Sequence, residues 1–67
     1  MPAKFTNKEK AEAVERELKY RRYVYPRRVS DGRMTQAAAD KQIALFEDIY
    51  EDYRTTAAAE EMAGRLL

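Results

Sequence analysis

Six residues in the second half of the chain, Ala39, Ile43, Phe46, Tyr50, Tyr53 and Ala57, recur at spacings of 4, 3, 4, 3 and 4. That alternation returns to one side of a helix at every turn, and it does not fit the period of two of a strand. Leu45 and Ile49 widen the stripe on one flank. The result is a coiled-coil-like seam of about two and a half heptads, too short to hold a freestanding two-stranded coil. It therefore has to pack inside a bundle, and the fold class is all-α.

The first half supplies a partner helix. Pro2 opposes helix, so residues 1–6 read as a flexible arm. Thr6 or Asn7 can cap the helix that follows, because a side-chain oxygen there satisfies an orphan N–H of the first turn. From Lys8 onward nearly every residue is a strong helix former. Ala11, Val14, Leu18, Tyr25 and Val29 share a stripe at about 100° per residue, with Arg22 near its centre. Pro26 forces a choice between a kinked helix over about 8–31 and a helix ending near Val24 with an extended linker. The stripe resumes at Val29 and Gly32 suits a left-handed stop, which favours the kinked helix.

The second helix is expected over about 36–63, entered through Met34 and a Thr35 cap. A link of about three residues (Gly32, Arg33, Met34) makes the two helices antiparallel neighbours in one domain, residues 1–67. Charge agrees with that arrangement. Residues 1–33 carry ten Lys/Arg against five Asp/Glu, a net of +5, and residues 34–67 carry three against seven, a net of −4.

One hairpin leaves much of both stripes uncovered. A chain of 67 residues with no Cys and no His has neither disulfides nor the usual metal ligands to make up for a small core. Two hairpins packed face to face would bury Leu18, Tyr25, Ile43, Phe46, Ile49, Tyr50 and Tyr53, so a homodimeric four-helix bundle is expected.

Function classes narrow as well. There is no apolar run of about 18 residues and no signal-peptide core, which points away from a membrane, and the absence of Cys fits a reducing cytoplasm. Ser30 is the only serine, and no base is placed to activate it. With only Gly32 and Gly64 there is no phosphate-cradling loop. The expectation is a protein that is not an enzyme and takes no cofactor, metal or small-molecule substrate.

Two clusters remain. The run from Lys19 to Arg28 interleaves basic and aromatic residues, and Tyr20, Arg21, Tyr23, Arg27 and Arg28 are candidate partner contacts. Such a surface suits a protein partner or, less well given the net charge of +1, nucleic acid. In the plain structural alternative Tyr25 and Arg22 pack on the second helix while the other cations pair with its carboxylates. The second cluster, Glu47-Asp48 with Glu51-Asp52, is a solvated acidic face or an acidic surface for a basic partner, with Glu47 and Glu51 as candidate contacts. Metal binding there is disfavoured, since neither a Glu-x-x-His element nor a calcium loop is present.

The stretch Val24-Tyr25-Pro26-Arg27-Arg28-Val29, then Gly32-Arg33-Met34-Thr35-Gln36, Ala39-Asp40, Ile43-Ala44, Glu47, Ile49 and Asp52-Tyr53-Arg54 resembles a group of short proteins of tailed bacteriophages and proteobacterial prophages. The resemblance covers about half the chain, approximately Leu18 to Arg54. It implies a phage or prophage origin and the hairpin. By analogy of gene context, it also implies binding and redirection of a host protein such as a transcription regulator or defence component, in the bacterial cytoplasm, with a structural subunit of a larger phage assembly as the further alternative.

Overall fold

The computed structural model describes residues 4–66, with side chains through Gly64. Two helices fill nearly all of it: α1, Asn7–Ser30, and α2, Gln36–Leu66. Of the expected arm, residues 1–3 lie outside the described residues, and Thr6 belongs to the helix start. Among the described residues there is no strand.

Local chemistry sets each helix end. The Glu9 backbone N–H donates to Thr6 Oγ1 at 3.0 Å, and the Thr6 N–H donates to the Glu9 carboxylate at 3.1 Å, completing a capping box. Thr6 therefore takes the cap, and Asn7 is the first helical residue. At the other end Gly32 adopts φ 74°, which only glycine reaches without penalty. Its N–H bonds to the Val29 carbonyl at 3.1 Å and the Arg33 N–H to the Arg28 carbonyl at 2.9 Å, a Schellman closure. Thr35 then caps α2 by accepting the Ala38 N–H at 3.1 Å.

α1 continues through Pro26 to Ser30, so the linker alternative is not what the chain adopts. Pro26 is exposed, and its missing N–H leaves the Arg22 carbonyl without an i+4 donor. α2 runs beyond the expected end near Ala63, through Gly64, to Leu66.

The helices pack antiparallel. Nearer the link, Arg22 Nη2 meets Glu47 Oε2 at 3.3 Å. Further out Lys10 Nζ lies 5.6 Å from the centre of the Tyr53 ring, and at the far end Asn7 Nδ2 donates to Glu60 Oε1 at 2.6 Å. The product is a rod of 53 × 19 × 19 Å with a radius of gyration of 15.5 Å. A compact chain of this length would have about 11 Å.

The buried residues of α1 are Ala11, Leu18 and Tyr25, each seven residues from the next. That is the 3.5-residue period of helices wound on each other, not the 3.6 of a straight helix. The difference corrects one expectation. A stripe drawn at 3.6 puts Arg22 at its centre, whereas the 3.5 seam admits Arg21 and leaves Arg22 exposed on the flank. On α2, Ala39 is buried and Ile43, Phe46, Ile49, Tyr50 and Tyr53 are half-buried, while Leu45 is exposed. Among the described residues no side chain is fully enclosed. Leu18 and Tyr25, each 4% exposed, are its best-covered large side chains, worth roughly 2 kcal/mol apiece.

Candidate protein-contact surface

The side of α1 turned away from α2 carries the row. At about 100° per residue, Arg16, Tyr20, Tyr23 and Arg27 fall within an arc of about 60° opposite Leu18. All four are exposed, Tyr20 at 56% and Tyr23 at 83%. None of these side chains has a hydrogen bond, ion pair or ring contact among the described residues. Large aromatic rings held this open on a regular helix supply contact area with little further ordering on binding.

Toward the link the row opens into a concavity of about 460 Å³ lined by Tyr23, Pro26, Arg27, Arg28, Asp31 and Arg33. Three guanidinium groups around an apolar Tyr–Pro floor can grip carboxylates in paired N–H···O contacts. Arg27 and Arg28 also occupy the last turn of α1, where cations complement the helix dipole.

The expected contact residues do not all meet. Tyr20, Tyr23 and Arg27 lie together, and Arg28 sits at the edge of the concavity with its guanidinium carbon 5.9 Å from the Tyr25 ring centre. Arg21 points inward. Its Nη1 donates to the Tyr25 hydroxyl and its Nη2 lies 3.7 Å from Glu17, while its Nε is buried without an acceptor. Glu47 and Glu51 lie on another side, along the groove between the helices. Glu47 pairs with Arg22, whereas Glu51 receives two bonds from Arg54, at 2.8 and 3.2 Å. The Arg54 hydrogen bonds hold the Glu51 carboxyl below its ordinary value.

Sequence reasoning missed Arg16 and Arg33. The first is legible as the start of the spacing 4, 3, 4 through Tyr20, Tyr23 and Arg27. The second depends on how the Schellman turn folds Arg33 back beside α1, which spacing does not reveal.

Among the described residues no three metal-ligating side chains converge, and no helix is long and apolar enough to cross a membrane. Compared with protein-family models, curated proteins and solved structures, the chain matches none.

Proposed function

We propose that this chain is a small non-enzymatic binding protein of the phage and prophage type, acting in the bacterial cytoplasm. It seats the row of Tyr20, Tyr23 and Arg27, with Arg28 at the edge, on a host protein and modulates that protein by covering its working surface. One observation carries this reading: two widely exposed tyrosines and an arginine share one helix face and use none of their contact capacity among the described residues. Tyr and Arg are the residues that most often anchor interfaces, and the guanidinium rim steers approach to an acidic partner.

The free protein is a homodimer of hairpins forming a four-helix bundle. Its accessible surface of 5654 Å² supports this, because a folded chain of 7.8 kDa ordinarily exposes about 4,400 Å². The excess exceeds the roughly 800 Å² per partner that a stable interface covers.

The test is retention of host proteins by the tagged chain from nuclease-treated lysate. The wild type is expected to hold one host protein at stoichiometric yield. Tyr23→Ala combined with Arg27→Ala is expected to lose it while keeping its helicity. Unchanged capture by the double variant would remove this surface from the account. Loss of all capture on nuclease treatment would assign the row to nucleic acid.

A further inference from the structure

The two long sides of the hairpin differ. One carries the Arg22–Glu47 pair, with Glu15 and Glu51 beside it. On the other, Lys10 lies against the Tyr53 ring and Arg21 against the Phe46 ring. At about 100° per residue this second side also takes Val14, Glu17, Val24 and Arg28 from α1, and Gln42, Leu45, Ile49 and Thr56 from α2. Val14, Val24, Phe46, Ile49 and Tyr53 are only half-buried, and Leu45 is 48% exposed. Much of the apolar surface that the hairpin leaves uncovered is therefore on this one side.

We propose that a second copy of this chain covers it, paired about a two-fold axis that crosses the helices at right angles. Each α1 lies antiparallel on the α1 of the other copy and each α2 on the other α2, with the two links at opposite ends. This rests on the homodimer reading above, and it names the face and the register of that dimer.

Three observations converge. The first is pattern. Such an axis lays each helix on its own reverse, so the spacing of its contact residues has to read the same from both ends. Lys10, Val14, Glu17, Arg21, Val24 and Arg28 are spaced 4, 3, 4, 3 and 4, centred on residue 19. Gln42, Leu45, Ile49, Tyr53 and Thr56 are spaced 3, 4, 4 and 3, centred on residue 49.

The second is level. One axis has to pass through both centres, so they must stand at the same height along the rod. Asn7 faces Glu60 and Arg22 faces Glu47 across the hairpin, which sets residue 19 level with residue 49 to within one residue.

The third is what meets. This register lays Val14 on Val24 of the other copy, Leu45 on Tyr53, and Ile49 on itself at the axis. Glu17 meets Arg21 of the other copy, while Arg21 has its own Glu17 at 3.7 Å. Four charges of alternating sign then close a ring around the axis. They set register more than strength, since moving the axis two residues either way would lay Glu17 on Glu17 or Arg21 on Arg21. Lys10 and Arg28 meet at the two ends, about 14 Å from the axis, where salt screens them. An axis along the helices would instead lay α1 on α2, with Glu17 beside Asp52 of the other copy.

This dimer leaves the outer row of each α1 free. Both rows face the same side of the bundle, next to each other, with Tyr20 of each copy beside the axis. A host protein then meets one two-fold patch of four tyrosines, with Arg27 at either end.

The chain contains no cysteine, so single cysteines report contacts without background. The test is cross-linking with a short bismaleimide, beside sedimentation equilibrium at micromolar concentration. The wild type is expected at twice its 7.8 kDa mass. Ile49→Cys is expected to give a covalent dimer. Val14→Cys and Val24→Cys are each expected to stay unlinked alone, because like positions stand about 15 Å apart, and to link when mixed in equal amounts. Asp48→Cys, exposed on α2, is expected to stay unlinked. Glu17→Lys is expected to weaken self-association about tenfold or more, because like charges then face each other twice. A doubled mass without the link at 49, without the link between 14 and 24, with equal linking at 48, or undiminished in Glu17→Lys would overturn this face and register while the homodimer stands. A wild type at its single mass would overturn both.

Discussion

The Arg21 guanidinium carbon lies 4.1 Å from the centre of the Phe46 ring, so a cation occupies a position in the packing seam where an aliphatic residue would ordinarily sit. Its stem and stacked plane fill the seam, but its buried Nε finds no acceptor, and an unsatisfied buried donor opposes folding. Arg21→Met keeps the volume and removes the orphan donor, and is expected to stabilise the hairpin by about 1 kcal/mol. Arg21→Ala loses the packing and is expected to destabilise it by about 1–2 kcal/mol. Denaturant midpoints of the two variants check the opposite signs.

Pro26 makes a second stability claim. It is exposed within α1 and withholds the N–H that the Arg22 carbonyl would accept. Pro26→Ala restores that bond, and a proline in a helix interior costs about 3 kcal/mol relative to alanine. Greater freedom of the unfolded chain returns up to about 1 kcal/mol, leaving an expected gain of about 2 kcal/mol. A thermal midpoint that is unchanged or lowered would show that the helix already accommodates the ring.

Gly32 is required for its backbone and not for space. A Cβ there would meet nothing within 4 Å, yet φ stands at 74°. Gly32→Ala is therefore expected to destabilise the hairpin by about 1–2 kcal/mol through conformation alone. Gly32→Asn, which tolerates the left-handed region better, is expected to lose less. Equal losses in urea titrations of the two would contradict a purely conformational role.

Acid should loosen the start of α1. The Glu9 carboxyl is held below its ordinary value, first by the Thr6 backbone N–H and then by the Thr6 hydroxyl. A carboxyl depressed in the folded state stabilises it above the unfolded value and loses that contribution as pH falls through the folded one. Glu9→Gln keeps an acceptor but does not titrate. The fall in helicity below the ordinary carboxylate range is thus expected to be smaller in Glu9→Gln than in the wild type, as circular dichroism against pH would show. Independently, Thr6→Ala removes the cap oxygen and is expected to cost about 1 kcal/mol.

Much of the hairpin was legible because its determinants are local. The Thr35 cap, the Gly32 stop and the seam spacing from Ala39 to Ala57 act within one or two turns, and each is met in the fold. Arg21 and Arg22 were confused because adjacent residues differ by only 100°, and the drift between 3.5 and 3.6 residues per turn decides which one enters the seam. α2 passes its expected end near Ala63 because a glycine such as Gly64 lowers helix propensity but does not stop a helix unless the chain turns there. Of the contact residues, Tyr20, Tyr23 and Arg27 could be placed from Leu18 by counting, since they share one face. Whether Glu47 and Glu51 belonged with them depended on how α2 lies against α1, which no local rule supplies.

The contact role of the row turns most directly on what touches Tyr23. A photoactivatable phenylalanine derivative placed at position 23, and separately at Asp48 on exposed α2, reports contacts in bacterial cells expressing the chain. Light is expected to give discrete protein adducts from position 23, with a host protein or a second copy, and none of comparable yield from position 48. Adducts from position 48 alone, equal yields from both, or attachment of position 23 to nucleic acid would contradict the assignment of this row as the protein-contact surface.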